Sequence, residues 1–248
     1  PDDFAAARNL ALEAVGDGEW ILWIDADERL EVEDRQRARL SMRNVDPDVR
    51  ALGVSVRSRR GDAPTSTSIA QRLFRRSGAV FEGAIHEEVF DLDTGRPLAV
   101  QPIDFVALEH LGYDVDIAHQ TAKAQRNLSI ATAANQSAPT PKTAADLARS
   151  IAYAGGATAD AAAVVRAGIQ LASADDPMLA RLESLLCGFE LEMGDVGTAF
   201  GLANRVLAKW PNDDVAAAVM AVSGRELGEH RAVVGLVSAL DHSSSHLS

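Results

Sequence analysis

An apolar run, Trp20-Ile21-Leu22-Trp23-Ile24, ends in Asp25-Ala26-Asp27-Glu28. Side chains two residues apart in extended chain point the same way, so Asp25 and Asp27 can aim two carboxylates at one point just past a strand end. Such a pair can hold a divalent cation, and the cation can hold a diphosphate. The same residues have a second reading, as the acidic start of a helix, where carboxylates are favoured by the helix dipole.

The elements that must position these carboxylates follow from pattern. Asp3 can cap a helix over 4–15, in which apolar residues recur at helical spacing and which Gly16-Asp17-Gly18 ends. The run 20–24 lacks polar alternation and predicts a buried central strand. Ligands of open α/β sheets sit at the carboxyl ends of strands, where Asp25 and Asp27 fall. A charged, exposed helix is expected over 31–44. Strands are expected over 51–57, 69–75, 80–83, 84–90 and 103–108, with a polar loop over 61–68 and a turn over 93–97.

Bulk composition narrows the function classes. The chain has 248 residues, 47% of them hydrophobic, enough for one large or two modest cored domains. Its 36 acidic against 24 basic residues give a net charge of −12, which disfavours nonspecific nucleic-acid binding. A single cysteine, Cys187, excludes an intrachain disulfide framework and fits a reducing compartment. No apolar run approaches the ~20 residues that span a bilayer, and no signal-peptide pattern is present. The expectation is a cytoplasmic protein without a membrane span.

Nearly all strand-like segments precede Gly112, and alanine-rich sequence follows it. This predicts an α/β part over 1–113 and an all-α part over 114–248. In the second part a helix is expected over 114–136, ending before Ser137-Ala138-Pro139-Thr140-Pro141. Beyond it, Pro177 and Pro211 are 34 residues apart, as are Gly194 and Gly228. Thirty-four residues is the tetratricopeptide (TPR) period. The best copy spans 180–213, with more degenerate copies over 146–179 and 214–247. Each copy would be two antiparallel helices that bury their faces by stacking. Such an array can recruit a protein or peptide, mediate a homodimer, or simply support the first part. Ser243-Ser244-Ser245-His246 reads as a flexible end.

Several segments of the first part carry a family resemblance. Phe4-Ala5-Ala6-Ala7-Arg8-Asn9, the following strand and Asp25-Ala26-Asp27-Glu28 resemble the middle of a family 2 glycosyltransferase with the Rossmann-like GT-A fold. Arg72-Leu73-Phe74-Arg75, the run Phe81-Glu82-Gly83-x-Ile85-His86-Glu87, and His110-x-Gly112-Tyr113 with Lys123 and Arg126-Asn127 look like the subgroup with a helical repeat tail. The resemblance covers roughly the first half of the chain. The Lys-Asn-Glu-like and Asp-x-Gly-Ser-x-Asp-like segments that open the family pattern, and hold base and ribose, have no counterpart here. The expectation is an incomplete GT-A sheet domain, its carboxyl-terminal portion, with poor affinity for a sugar nucleotide unless that half is supplied.

The resemblance implies a metal-dependent transfer of a hexose-type group from a nucleotide diphosphate sugar, UDP-linked, to a protein, peptide or saccharide acceptor, with inversion. Mn²⁺ or Mg²⁺ would neutralise the leaving diphosphate. It implies Asp27 as first metal ligand, Asp25 as second, and His110 completing the site. A structural histidine at a strand end is the alternative for His110. An inverting transfer needs a carboxylate base near the acceptor. Glu87 is the candidate, with His86 and Glu88 behind it, and a solvated strand face is the alternative. His86 and Glu87 would share a strand and face opposite ways. Arg8 would approach the diphosphate and Asn9 fix the loop, with structural hydrogen bonding as the alternative for both. Arg72, with Arg75 and Arg76, would face an anionic donor or solvent. Two rivals stand beside this reading. One is a non-catalytic TPR-type interaction module with a remnant transferase domain. The other is a Mg²⁺-dependent phosphatase built on Asp25 and Asp27.

Overall fold

The computed structural model describes all residues except 1–2, 16–18, 31, 44, 61–62, 112–116, 231–232 and 234–248. The chain forms two compact units, Pro1–Lys123 and Ala124–Ser248. The first is α/β and the second all-α, the order read from composition. The division falls inside a helix, and the boundary expected at 113/114 lies outside the described residues.

The first unit begins with α1 (Phe4–Ala14), whose cap Asp3 accepts from Ala6 N at 2.9 Å. Then come β1 (Trp20–Leu22), β2 (Glu28–Leu30), α2 (Val32–Arg43), β3 (Ala51–Arg60) and β4 (Ala63–Arg75). They are followed by β5 (Ala79–Glu82), β6 (Glu88–Asp91), β7 (Arg96–Pro97) and β8 (Val100–His110). A mixed five-stranded sheet runs in the order β1-β4-β3-β8-β2, in which only β3 and β8 are parallel. An antiparallel three-stranded sheet has the order β5-β6-β7.

Three local expectations are corrected. First, β1 lies at one end of the sheet among the described strands, not at its centre. Its unbroken apolar run has another cause: both of its faces are packed. Ile21 joins Ala5, Leu12, Phe74, Phe81 and Val89, while Trp20 and Leu22 pack against Leu52, Val54, Leu73 and Leu108. Side-chain burial and edge position are set in perpendicular directions, so the run says nothing about backbone pairing. Second, the polar stretch expected as a loop over 61–68 belongs largely to β4, which pairs with β3 from Ala63 onward. Third, 84–90 is not one strand. Gly83 (φ 101°) and His86 (φ 53°) both occupy the left-handed region, and the pleat starts only at Glu88.

The second unit completes α3 (Ile117–Ser137), which carries Lys123 and Arg126-Asn127. It continues with α4 (Pro141–Tyr153), α5 (Thr158–Leu171), α6 (Met178–Glu192), α7 (Val196–Lys209) and α8 (Asp214–Leu227). Thr140 and Thr143 form a reciprocal cap with Pro141 in the first turn of α4. Asp195 and Asp213 cap α7 and α8. The 34-residue spacing has a structural meaning: Gly194 (φ 82°) and Gly228 (φ 75°) both end helices in the left-handed conformation that glycine adopts without strain. Alanines make much of the core. Ala144, Ala145, Ala148, Ala161 and Ala162 surround Val165 and Leu182, and Ala199, Ala203 and Ala216 surround Cys187 and Val206. The second half of the last expected repeat copy and the Ser243–His246 segment lie outside the described residues. Among the described residues no helix is long and apolar enough to cross a membrane.

Candidate functional site

The acidic turn is fixed by strand pairing on both sides. Trp23 N donates to Arg72 O at 2.7 Å, one step beyond the Leu22–Leu73 pair, and this carries Arg72 alongside the turn. On the other side Glu28 pairs with His110, and Leu111 N donates to Asp27 O at 2.8 Å. That register brings His110 Nε2 to 3.1 Å from Asp27 Oδ2. On α1, Arg8 shares a face with buried Ala5 and Leu12 and so points inward. Phe4 N donates to Ala84 O at 3.0 Å, tying the start of α1 to the 83–87 segment that carries Glu87.

The turn itself departs from the extended geometry assumed for it. Glu28 N donates to Asp25 O at 3.0 Å, and Asp25 N donates to Glu28 Oε2 at 3.0 Å. This closes a four-residue turn over Asp25–Glu28, in which the parallel aim of residues two apart no longer holds. Nor is the turn the start of a helix: β2 intervenes before α2. The two aspartates have different partners. Asp25 Oδ1 lies 2.9 Å from Arg8 Nη2 and accepts from Trp23 Nε1 at 2.9 Å. Asp25 Oδ2 lies 2.7 Å from Arg72 Nη2. Asp27, with 43% of its side chain exposed, faces His110.

The arginines extend this into a network. Arg72 Nη2 also contacts Glu28 Oε1 at 2.5 Å, and Arg8 Nη2 contacts Glu87 Oε1 at 2.5 Å. The Arg8 guanidinium lies 4.8 Å from the Trp23 ring centroid and 5.4 Å from that of Phe81, with the two rings edge to face. Burial pushes the Asp25 carboxyl up. The charge of Arg72, the Trp23 indole N–H and Arg8 outweigh it and hold the group below the ordinary aspartate value. Two guanidiniums against three carboxyls leave the five-residue network with a formal charge of −1, and Asp27 beside it makes −2. The surroundings therefore favour a cation over a free anion.

Asp25 is the poorer metal ligand in this arrangement, because a cation at either oxygen would sit against the guanidinium of Arg8 or Arg72. Asp27 and His110 do fit as a pair: they combine an exposed carboxylate with an imidazole nitrogen 3.1 Å away. Among the described residues no group of three or more His, Cys, Asp or Glu side chains is gathered to hold a metal.

Asn9 is spent on the backbone of β5: its Nδ2 donates to Phe81 O at 2.9 Å, and Phe81 N donates to its Oδ1 at 2.8 Å. Of the three arginines at the end of β4, only Arg72 meets the turn. Arg75 donates from Nε to Val49 O at 3.0 Å, pairs with Glu19 and stacks on Trp20; Arg76 reaches Leu12 O. His86 and Glu88 are half-buried, with Glu88 opening β6 opposite Glu82. Gly112 and Tyr113 lie outside the described residues. Trp23, Glu28 and Phe81 were not singled out as site residues by sequence. Glu28 carries the one signal that was legible: it stands three residues after Asp25, the spacing of a reciprocal turn. A cavity of about 460 Å³ elsewhere in the unit, lined by residues that include Val49, Arg50, Asp91 and Leu98, contains none of these candidates. No family model and no curated protein matches the sequence.

Proposed function

We propose that the protein is a metal-dependent glycosyltransferase of the family 2, GT-A type followed by a TPR-like helical array. It would move a sugar from a nucleotide diphosphate donor, UDP-linked, to a protein, peptide or saccharide acceptor with inversion. What supports the reading is the convergence of segments far apart in sequence. Arg8, Asp25, Arg72 and Glu87 form one ion-pair network, next to the Asp27–His110 contact. Asp27 and His110 are the residues that would hold Mn²⁺ or Mg²⁺. The cation, when bound, supplies neutralisation of the leaving diphosphate. Glu87 would take the proton of the acceptor hydroxyl as that oxygen bonds to the anomeric carbon and the diphosphate departs with the electron pair. Arg8, packed against the Trp23 and Phe81 rings, would hold Glu87 in place. The helical unit would recruit the acceptor or pair two copies of the chain.

A second reading, a non-catalytic interaction module, is favoured by one observation: Asp25 is fully engaged by two arginines and needs no ligand to be satisfied. Calorimetry separates the two. Mn²⁺ with UDP is titrated into the intact chain and into Asp27→Ala. Metal-dependent UDP binding that vanishes in the variant is the expected result. Absence of binding to the intact chain would leave the interaction module as the better account.

A further inference from the structure

The geometry points to Glu28 as the positioning residue of the candidate site, setting Glu87 through Arg72, Asp25 and Arg8. Glu87's place in the chemistry rests on the proposed function; the relay itself does not. The Glu28 side chain is 1% exposed, so its oxygens must find donors inside the protein. They do: Oε2 accepts from Asp25 N at 3.0 Å, and Oε1 contacts Arg72 Nη2 at 2.5 Å. Each later joint is shared at one group. Arg72 Nη2 serves both Glu28 and Asp25. The Asp25 carboxylate spans Arg72 and Arg8, one oxygen to each. Arg8 Nη2 serves both Asp25 and Glu87.

Two further facts bear on the relay. Arg72 Nε is buried and has no hydrogen-bond partner among the described residues, so the place of the guanidinium depends on the two carboxylates at Nη2. The Arg8 guanidinium also packs against the Trp23 and Phe81 rings, which narrows the positions it can take between its carboxylate partners. Glu28 at the buried end therefore dictates where Glu87 stands at the other. Linked charges of this kind respond as a unit, not pair by pair.

The test reads both ends by NMR on the full chain at one pH, with neither metal nor nucleotide present. The reporters are the Trp23 indole Nε1–H, which donates to Asp25, and the Glu87 carboxyl carbon. They are assigned with Trp23→Phe and Glu87→Gln. Glu28→Gln is expected to displace both signals by more than a linewidth while the Trp210 indole signal stays in place. Arg72→Lys, which keeps the charge but loses the fork, is expected to do the same and stands in if Glu28→Gln fails to fold. A folded variant in which Glu87 keeps its wild-type position overturns the proposal, whether or not Trp23 moves. Absence of metal-dependent UDP binding by the unsubstituted chain, with both signals displaced in the variants, would refute the transferase reading and leave the relay intact.

Discussion

Asp25 and Glu28 hold each other through two hydrogen bonds of equal length. Asp25 N donates to Glu28 Oε2 and Glu28 N donates to Asp25 O, each at 3.0 Å. The pair makes a turn whose one carboxylate is buried and whose other is half-exposed between two arginines. Removing the buried partner leaves Arg72 under-compensated and the Asp25 N–H without its acceptor. Glu28→Ala should therefore destabilise the first unit by about 3 kcal/mol or more, and Glu28→Gln by about 1–2 kcal/mol. Urea unfolding followed by tryptophan fluorescence measures both.

The depressed ionisation of Asp25 has a pH signature. A carboxyl with a lowered folded-state value contributes stability that is present above its unfolded value, about 4. That contribution is lost as pH falls through the folded value. In Asp25→Asn the acid limb of the stability curve should be shallower than in wild type, with reduced stability at neutral pH. Urea midpoints taken from neutral pH down to about pH 3 test the direction. Parallel limbs would show that Arg8 and Arg72 do not act on this group.

Asn9 acts as a one-residue strand partner for Phe81, accepting from its N–H and donating to its carbonyl. Asn9→Ala orphans both backbone groups and should cost about 2 kcal/mol. Asn9→Asp keeps the acceptor for Phe81 N but sets a carboxylate oxygen against the Phe81 carbonyl oxygen, so it should cost at least as much as Asn9→Ala. Amide hydrogen exchange at Phe81 is the direct check, rising in both variants.

In the helical unit, two glycines separate packing from propensity. A Cβ on Gly168 would lie 2.6 Å from the Ala144 Cβ and 3.2 Å from Leu182 Cδ2, while one on Gly188 would meet nothing within 4 Å. Gly168→Ala should destabilise by about 1–2 kcal/mol, overpacking outweighing the helix-propensity gain. Gly188→Ala should stabilise by about 0.5–1 kcal/mol. Thermal unfolding of the two variants should move in opposite directions.

The order of α/β before all-α was legible because strand-like and alanine-rich segments segregate along the chain. The helix over Phe4–Ala14 was legible from its cap and spacing, and two helix ends of the second unit from Gly194 and Gly228, which adopt the left-handed conformation. Other features were hidden for identifiable reasons. The apolar run 20–24 reports packing on two faces and cannot reveal an edge. Asp25 and Asp27 look equivalent in sequence, yet pairing with Arg72 on one side and His110 on the other gives them different partners. Glu28 reads in sequence as one more acid of the Asp25-Ala26-Asp27-Glu28 run; its burial depends on β2 pairing with β8, a contact made across about eighty residues of chain.

Cys187 offers an independent probe of the second unit. Burial raises its thiol, the Asp213 and Glu183 carboxylates add to the effect, and the value reaches about 12. Its Sγ donates to Glu183 O at 3.1 Å and the residue is fully buried. Against an ordinary value of 9.0, the rise leaves about a thousandfold less thiolate near pH 8. Because the folded-state value is the higher one, the associated stability is present in full below 9.0 and is lost as pH rises toward 12. Two outcomes follow. A thiol-reactive chromogenic disulfide should leave the native chain unmodified at pH 8 and label one thiol per chain on adding denaturant. The labelling rate should track opening of the second unit, so Gly168→Ala should speed it and Gly188→Ala slow it. Stoichiometric labelling of the native protein within seconds would mean that Cys187 is reachable without unfolding, contrary to its packing between Ala199, Ala203 and Val206.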